Sequence, residues 1–304
     1  MDHAADTAST DGPNGLERAI SAEHLVGQLV ERLELLGEAC DGQPSGLSTG
    51  FSELDDLTSG LHGGDLVIIA GKPSVGKSSL ALSIAKHVAL SEGIPIVFFT
   101  LETDKAQVFV RLTSLGAGIC LQALRRGRLE NDEWIRLGDF SGKLEGSKFI
   151  IDDSPGLNVT ELMSRARGHA SVTGRVGLIV VDYLQLMTGV HEEADSRAAE
   201  MGFISRSLKK LARSLDCAVI AISQVNRLGA RANNNPQLGD IRDSGAIEED
   251  ADLVLFMCGG APSERLNSGP SPIEIIIGKQ RNGPVGKFKL WFDSAQLKFR
   301  SASA

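Results

Sequence analysis

No apolar run in this 304-residue chain approaches the roughly 20 residues that a membrane span needs; stretches such as Ile94 to Phe99, Leu178 to Val181 and Leu253 to Met257 are strand-sized. The opening, Met1-Asp2-His3-Ala4-Ala5-Asp6, is acidic and lacks the basic and apolar regions of a signal peptide. The expectation is a cytoplasmic protein with no membrane partner. Cysteine is sparse: Cys40, Cys120, Cys217 and Cys258 are scattered, with no Cys-x-x-Cys and no paired histidines. That excludes a disulfide frame or zinc site of the usual spacing and leaves reduced packing residues. Positive charge is also short, with a net charge of −8. A broad basic face that coats duplex DNA is therefore excluded, whereas a narrow channel gripping one strand needs only a few cations and backbone amides. No internal repeat is visible. The 42% hydrophobic content is ordinary for a globular protein with a sizeable core.

What is present centres on Gly71-Lys72-Pro73-Ser74-Val75-Gly76-Lys77-Ser78, which fits G-x-x-x-x-G-K-[ST] at every fixed position. Gly71 and Gly76 let the backbone curl so that consecutive N–H groups turn inward around a triphosphate, at the start of the next helix. Lys77 adds a point charge for the β and γ phosphates, and Ser78 brings a hydroxyl to Mg²⁺. The flanks agree. Asp65 to Ala70 reads as a buried strand, and from Ser79 to Ala89 the residues Leu80, Ile84 and Val88 recur at helical spacing. The nine residues Gly71 to Ser79 are thus the candidate ATP cradle. A GTPase is not indicated, since Tyr183-Leu184-Gln185 follows Asp182 in place of a D-x-x-G switch and no Asn-Lys-x-Asp occurs.

Residues 1 to 18 carry no apolar periodicity and read as a disordered tail. From Ser21 to about Ala39 an amphipathic helix carries Leu25, Leu29, Leu33 and Leu36 on one stripe, and Asp41 to Gly46 breaks it as a Gly/Pro linker. Residues 19–45 are therefore a linker helix and linker, ahead of a domain over 46–304. The stripe folds back on its own domain or docks on a neighbouring subunit. Strands are expected at Ile94 to Thr100, Lys148 to Asp152, Val176 to Val181 and Cys217 to Ile222, and residues 104 to 145 look helical. Within that stretch Arg125, Arg126 and Arg128 around Gly127 read as a solvated turn. Asn158 with Glu161 caps a helix, and another runs from Ser196 to Ser214. This alternation argues for an open α/β sheet with crossovers. Asp252 to Met257, Ile273 to Ile277, Gly286 to Phe292 and Gln296 to Arg300 follow with little helix between them, as added or antiparallel strands at one edge.

In open α/β sheets ligands bind beyond the carboxyl ends of the strands. Asp182 stands at such an end, placed to hold Mg²⁺. Glu102 ends the strand from Ile94 and could polarise the attacking water, and Gln224 ends the strand from Cys217 and could sense the γ-phosphate. The alternative for each is a capping or solvated polar group.

Gly46-Leu47-Ser48-Thr49-Gly50-Phe51, the phosphate loop, Leu101-Glu102, Asp182 to Met187, Ser223-Gln224, Arg242-Asp243-Ser244-Gly245 and Ile277 to Gly283 together resemble the C-terminal motor domain of DnaB-type replicative helicases, over roughly residues 20 to 300. Most of these motifs are common to RecA-like ATPases; Asp182 to Met187 followed by Gly278 to Gly283 is specific to DnaB. The resemblance implies a RecA-like P-loop NTPase with a mostly parallel central sheet flanked by helices. It also implies a homohexameric ring that binds ATP between subunits and moves 5′ to 3′ on single-stranded DNA. Lys279 and Arg281 would reach into the neighbour's site, Arg281 as an arginine finger. Arg227, Arg242, Asp243 and Gly245 would hold the strand's phosphates. An initiator or helicase loader is an implied partner. Asp243 stands where the family usually has Glu, and Cys258-Gly259-Gly260-Ala261 lacks the family's Arg and Tyr, so no partner for the adenine is identified. No counterpart of the N-terminal collar domain is seen, so primase contact by that route is not expected. The alternatives are a RadA-type branch-migration ATPase and a non-motor assembly or loading factor.

Overall fold

Apolar runs without polar alternation demand strands covered on both faces. The computed structural model describes residues 22–38, 44–188, 196–226, 236–241, 245–259 and 269–301. The chain divides into two units, Met1–Gln43 and Pro44–Ala304. In the first, α1 (Ala22–Glu38) carries Leu25, Val26, Leu29, Val30 and Leu33, each roughly half exposed.

The second unit opens with α2 (Ser52–Thr58), β1 (Leu66–Gly71), α3 (Lys77–Leu90) and β2 (Ile96–Thr100). Three helices follow, α4 (Lys105–Ala117), α5 (Leu121–Arg126) and α6 (Asn131–Glu145), then β3 (Phe149–Asp152), α7 (Val159–Thr173) and β4 (Leu178–Asp182). α8 (Arg197–Leu215), β5 (Ala218–Gln224), α9 (Gly245–Asp250) and β6 (Leu253–Cys258) lead to β7 (Ser271–Gln280), β8 (Gly286–Asp293) and β9 (Lys298–Ser301). Among the described residues nine strands form one sheet in the order β3-β2-β4-β5-β1-β6-β7-β8-β9. The first six run parallel, and β7, β8 and β9 add antiparallel beside β6.

Alternate residues along the parallel strands feed two cores. Val67 and Ile69 of β1 and Leu178 and Val180 of β4 pack with Leu80, Ile84 and Val88 of α3 and with Leu112 and Leu115 of α4. Their neighbours Leu66, Ile68, Ile179 and Val181 pack with Leu162 of α7 and with Ile204, Leu208 and Leu211 of α8. Every residue of β1, β2 and β4 is buried.

Local chemistry sets the helix ends. Asn158 and Glu161 form both bonds of a capping box at α7, as the sequence predicts. The stretch 104–145, expected to be helical with a turn around Gly127, is three helices, because Gly118 and Gly127 take left-handed φ of 65° and 62° and end α4 and α5. The strand expected from Asp65 runs Leu66–Gly71, and two short helices, α2 and α9, go beyond what the sequence predicts. Among the described residues no helix is long and apolar enough to cross a membrane, and Cys120, Cys217 and Cys258 are free.

Where β1 starts, one carboxylate joins three elements. Asp252 accepts from the Leu66 amide at 2.8 Å, from Lys209 Nζ of α8 at 2.5 Å and from Arg281 Nη1 at 3.3 Å. Its own amide donates to Leu66 O. Removing a buried carboxylate of this kind leaves an amide unpaired and a lysine uncompensated. Asp252→Ala is expected to lower the unfolding free energy by about 2–4 kcal/mol, read from urea denaturation. An unchanged midpoint would show that this carboxylate does not anchor β1.

Candidate functional site

Register decides which side chains meet. Gly71 of β1 is opposite Gln224 of β5, and Thr100 of β2 is opposite Asp182 of β4. Four adjacent strands, β2, β4, β5 and β1, therefore deliver their last residues to one end of the sheet. A cleft of about 430 Å³ lies there. Its walls include Pro73, Ser74, Gly76, Lys77, Ser78, Ser79, Glu102, Asp182 and Gln224, brought together from four separate stretches of sequence.

The loop before α3 is built as a cradle. Gly76 caps α3 with φ 109°, and a Cβ there would stand 3.1 Å from the Phe299 ring. Ser74 also takes positive φ, 61°. A Cβ at Gly71 would meet Met257 O and Val75 at 3.0 Å. α3 has no acidic residue in its own first turn, so none of its own side chains offsets the partial positive charge of its N-terminus, which suits an anion. Val75 packs into the core, while Gly71 and Lys72 offer carbonyls rather than cleft surface.

The charges are strongly desolvated. Lys77 is buried; its Nζ donates to Gly71 O at 3.0 Å and Lys72 O at 2.9 Å. Burial lowers its pKa to about 8 against the opposing pull of Asp182 and Glu102. Asp182 is shifted upward, chiefly by burial, although the Ser78 hydroxyl donates to it and Arg111 and Lys77 lie near. A buried cation and a buried carboxylate facing one cleft suit a ligand that carries both negative charge and a cation. The Ser78 hydroxyl and Asp182 carboxylate are a hard oxygen pair that fits Mg²⁺. Glu102 is exposed, two residues beyond the end of β2.

The sequence does not single out several wall residues as site residues, and of them only Tyr183 falls in a motif, Asp182 to Met187. Arg111 of α4 has its guanidinium near Asp182, and Leu121, Tyr183, Phe292, Ser294 and Leu297 are also in the walls. Arg125, which reads from sequence as part of a solvated turn, also lines the cleft. Nothing in their local spacing marks them, because α4, α5 and the β8–β9 turn meet only in the folded chain.

Lys279 and Arg281 do not line this cleft. Lys279 Nζ donates to Glu248 O and Glu249 O of α9, and Arg281 to Glu249 O and Asp252. Burial, then the neighbouring Arg281, lowers the Lys279 pKa. Of the proposed strand contacts, Gly245 opens α9 and is exposed. Arg227, Arg242 and Asp243 lie outside the described residues.

Comparison with known proteins gives one family. A family model described as the DnaB-like helicase C terminal domain matches residues 46–301. The replicative DNA helicase DnaB of Geobacillus stearothermophilus is 40% identical over 273 residues, covering 90% of this chain and 60% of that protein. The replicative DNA helicase DnaC of Bacillus subtilis (strain 168) is 41% identical over 259 residues, 85% of this chain and 57% of that protein. The chain thus spans about three fifths of the length of these relatives. Among solved structures, one described as an ATPase domain superposes with a TM-score of 0.83 at 32% identity, over 92% of this chain and 98% of that one. A DnaB-like replicative helicase, solved in a study of its interactions with primase, gives 0.79 at 32% identity, over 93% of this chain and 67% of that one. With its ordered sheet, its phosphate loop and a family match across almost all of the second unit, this chain belongs to the DnaB-like helicase C-terminal domain family.

Proposed function

We propose that this chain is the motor of a ring-shaped, ATP-driven DNA helicase, which moves 5′ to 3′ along single-stranded DNA and separates duplex ahead of it. The observation that carries the reading is the convergence of Lys77, Ser78, Asp182 and Gln224 on one cleft, with Lys279 and Arg281 held elsewhere on the same chain. A site lacking its trans-acting cations is the half-site expected of one subunit in a ring. The relatives and solved structures favour this over a RadA-type ATPase.

In this reading the amides from Gly71 to Ser79 and the N-terminus of α3 bind the ATP phosphates, and Lys77 leaves the Gly71 and Lys72 carbonyls to pair with them. Mg²⁺, held by Ser78 and Asp182, would neutralise phosphate charge when bound. Glu102 orients and deprotonates the attacking water, Gln224 senses the γ-phosphate, and Arg111 offsets negative charge beside Asp182. Leu121, Phe292 and Leu297 form the apolar wall against which the nucleobase rests. Lys279 and Arg281 enter the neighbouring subunit's cleft. Arg227, Arg242, Asp243 and Gly245 hold the single strand through side chains and amides. The partners are therefore a second copy of the chain, single-stranded DNA, and an initiator or loader that opens the ring. Residues 46–304 form the motor, and 19–45 form a linker whose stripe docks on the adjacent subunit.

Hydrolysis and unwinding of a forked duplex test the reading. The wild type is expected to hydrolyse ATP faster with single-stranded DNA and to unwind the fork, and Lys77→Ala to do neither; a wild type without nucleotide-dependent unwinding would refute the helicase reading. The trans role is tested by mixing. Arg281→Ala is expected to lose on the order of 10³- to 10⁵-fold in kcat. Doped into wild type, it should depress activity out of proportion to its share, and a strictly linear decline would show that each subunit works alone.

A further inference from the structure

β4 and β5 pair through Val181↔Ala221, and the backbone ladder between them ends there. Beyond that point β4 passes through Asp182 into a 3-10 turn, Leu184–Leu186, while β5 continues to Gln224. A side chain crosses the gap. Gln185 Nε2 donates to Ser223 Oγ at 2.8 Å, and Ser223 is fully buried. The other end of the same amide, Oε1, is buried with no hydrogen-bond partner among the described residues. An unpaired buried acceptor is unfavourable, and an apolar side chain of similar shape would avoid it. What the glutamine supplies here is its bond to Ser223.

Each end of that bond adjoins a strand end that lines the cleft, Asp182 on one side and Gln224 on the other. On the Gln185 side, Arg197 at the start of α8 donates to Gln185 O at 2.8 Å and to Met187 O at 3.3 Å, and Glu200 pairs with the same guanidinium. The turn after Asp182 is thereby clamped. On the far side of β5, Gly71 is in register with Gln224, and Val225 N donates to Gly71 O at 3.4 Å. That carbonyl also accepts from Lys77 Nζ. The end of β5 is thus held between the phosphate loop and Gln185.

The geometry points to Gln185 as a positioning residue that, through Ser223, fixes the end of β5 and Gln224 against the Asp182 turn, so that the nucleotide state of the cleft reaches the strand end leading to Arg227. This rests on the reading of the cleft as an ATP site and of the chain as a DNA motor. Gln185 is not among the cleft walls. Without it, the backbone ladder carries movement at Asp182 to β5 only as far as Ala221, and the end of β5 is left with Gly71 on one side and the Val225 to Ile241 bridge and the Asn226 to Asp240 bond beyond it.

The test measures ATP hydrolysis with and without an oligothymidylate for wild type, Gln185→Leu, Ser223→Ala and the double variant, with thermal midpoints. Each single variant should keep its DNA-free rate within about twofold and lose roughly tenfold in DNA stimulation, with the double variant no worse than either. Gln185→Leu should not lower the midpoint, since it removes the unpaired acceptor. Stimulation ratios equal to wild type, stimulated and DNA-free rates falling together, or additive losses would each overturn the proposal. Ser223→Ala, which deletes one oxygen, decides the matter if Gln185→Leu does not fold. A wild type without DNA stimulation would instead count against the motor reading itself.

Discussion

A strand covered on both faces has no room for charge along its length. That constraint shapes this protein. β1, β2 and β4 are buried throughout, so polar side chains are confined to the points where the strands emerge from the two cores. Because the six strands are parallel, all their carboxyl ends emerge at one edge of the sheet. Residues as far apart in the chain as Gly71 and Gln224 become backbone neighbours there. The cleft is a consequence of how the sheet is buried, and the loops supply the chemistry it presents.

The electrostatics of that edge follow from the same burial. Lys77 and Asp182 are shifted in opposite directions by a common cause, loss of water, and each partly offsets the other's penalty. Meanwhile the Lys77 ammonium is satisfied by two loop carbonyls, a weaker arrangement than pairing with a polyanion. Such desolvated, opposed charges facing open space are poorly suited to stabilising a fold and well suited to a charged ligand.

The antiparallel side of the sheet has a different role. β7 pairs antiparallel with β6, and its C-terminal end places Lys279 and Arg281 against the carbonyl end of α9 and the Asp252 carboxylate. Asp252 also receives the first amide of β1 and the Lys209 ammonium from α8. The start of the strand that leads into the phosphate loop and Arg281, one of the two cations proposed to act on another subunit, therefore share one anchor. Any shift of Arg281 toward a neighbour's site has to be accommodated at the foundation of its own.

Much of this is legible in residue order. The phosphate loop, the Asn158 and Glu161 capping box, the continuous apolar strands and the polar residues at their ends are local patterns, and their spacing carries their physics. The short helix α2 is not legible there because seven residues hold no apolar period; it depends on contacts with other segments, including Asp55 accepting from the Thr49 amide and hydroxyl. The break at Gly118 is equally hidden, because a glycine inside an apolar pattern does not announce a left-handed φ, whereas the turn at Gly127 shows in the arginines around it. By itself the sequence determined that a glycine loop of the phosphate-binding pattern sits between a strand and a helix in an α/β sheet, because that motif is written in consecutive residues. Only the tertiary structure decided the order of the strands, the recruitment of Arg111, Arg125, Phe292 and Leu297 to the cleft, the Gln185 to Ser223 bridge and the exclusion of Lys279 and Arg281. Those depend on which distant segments pack side by side, and that is settled by burial of whole faces rather than by neighbours in the chain.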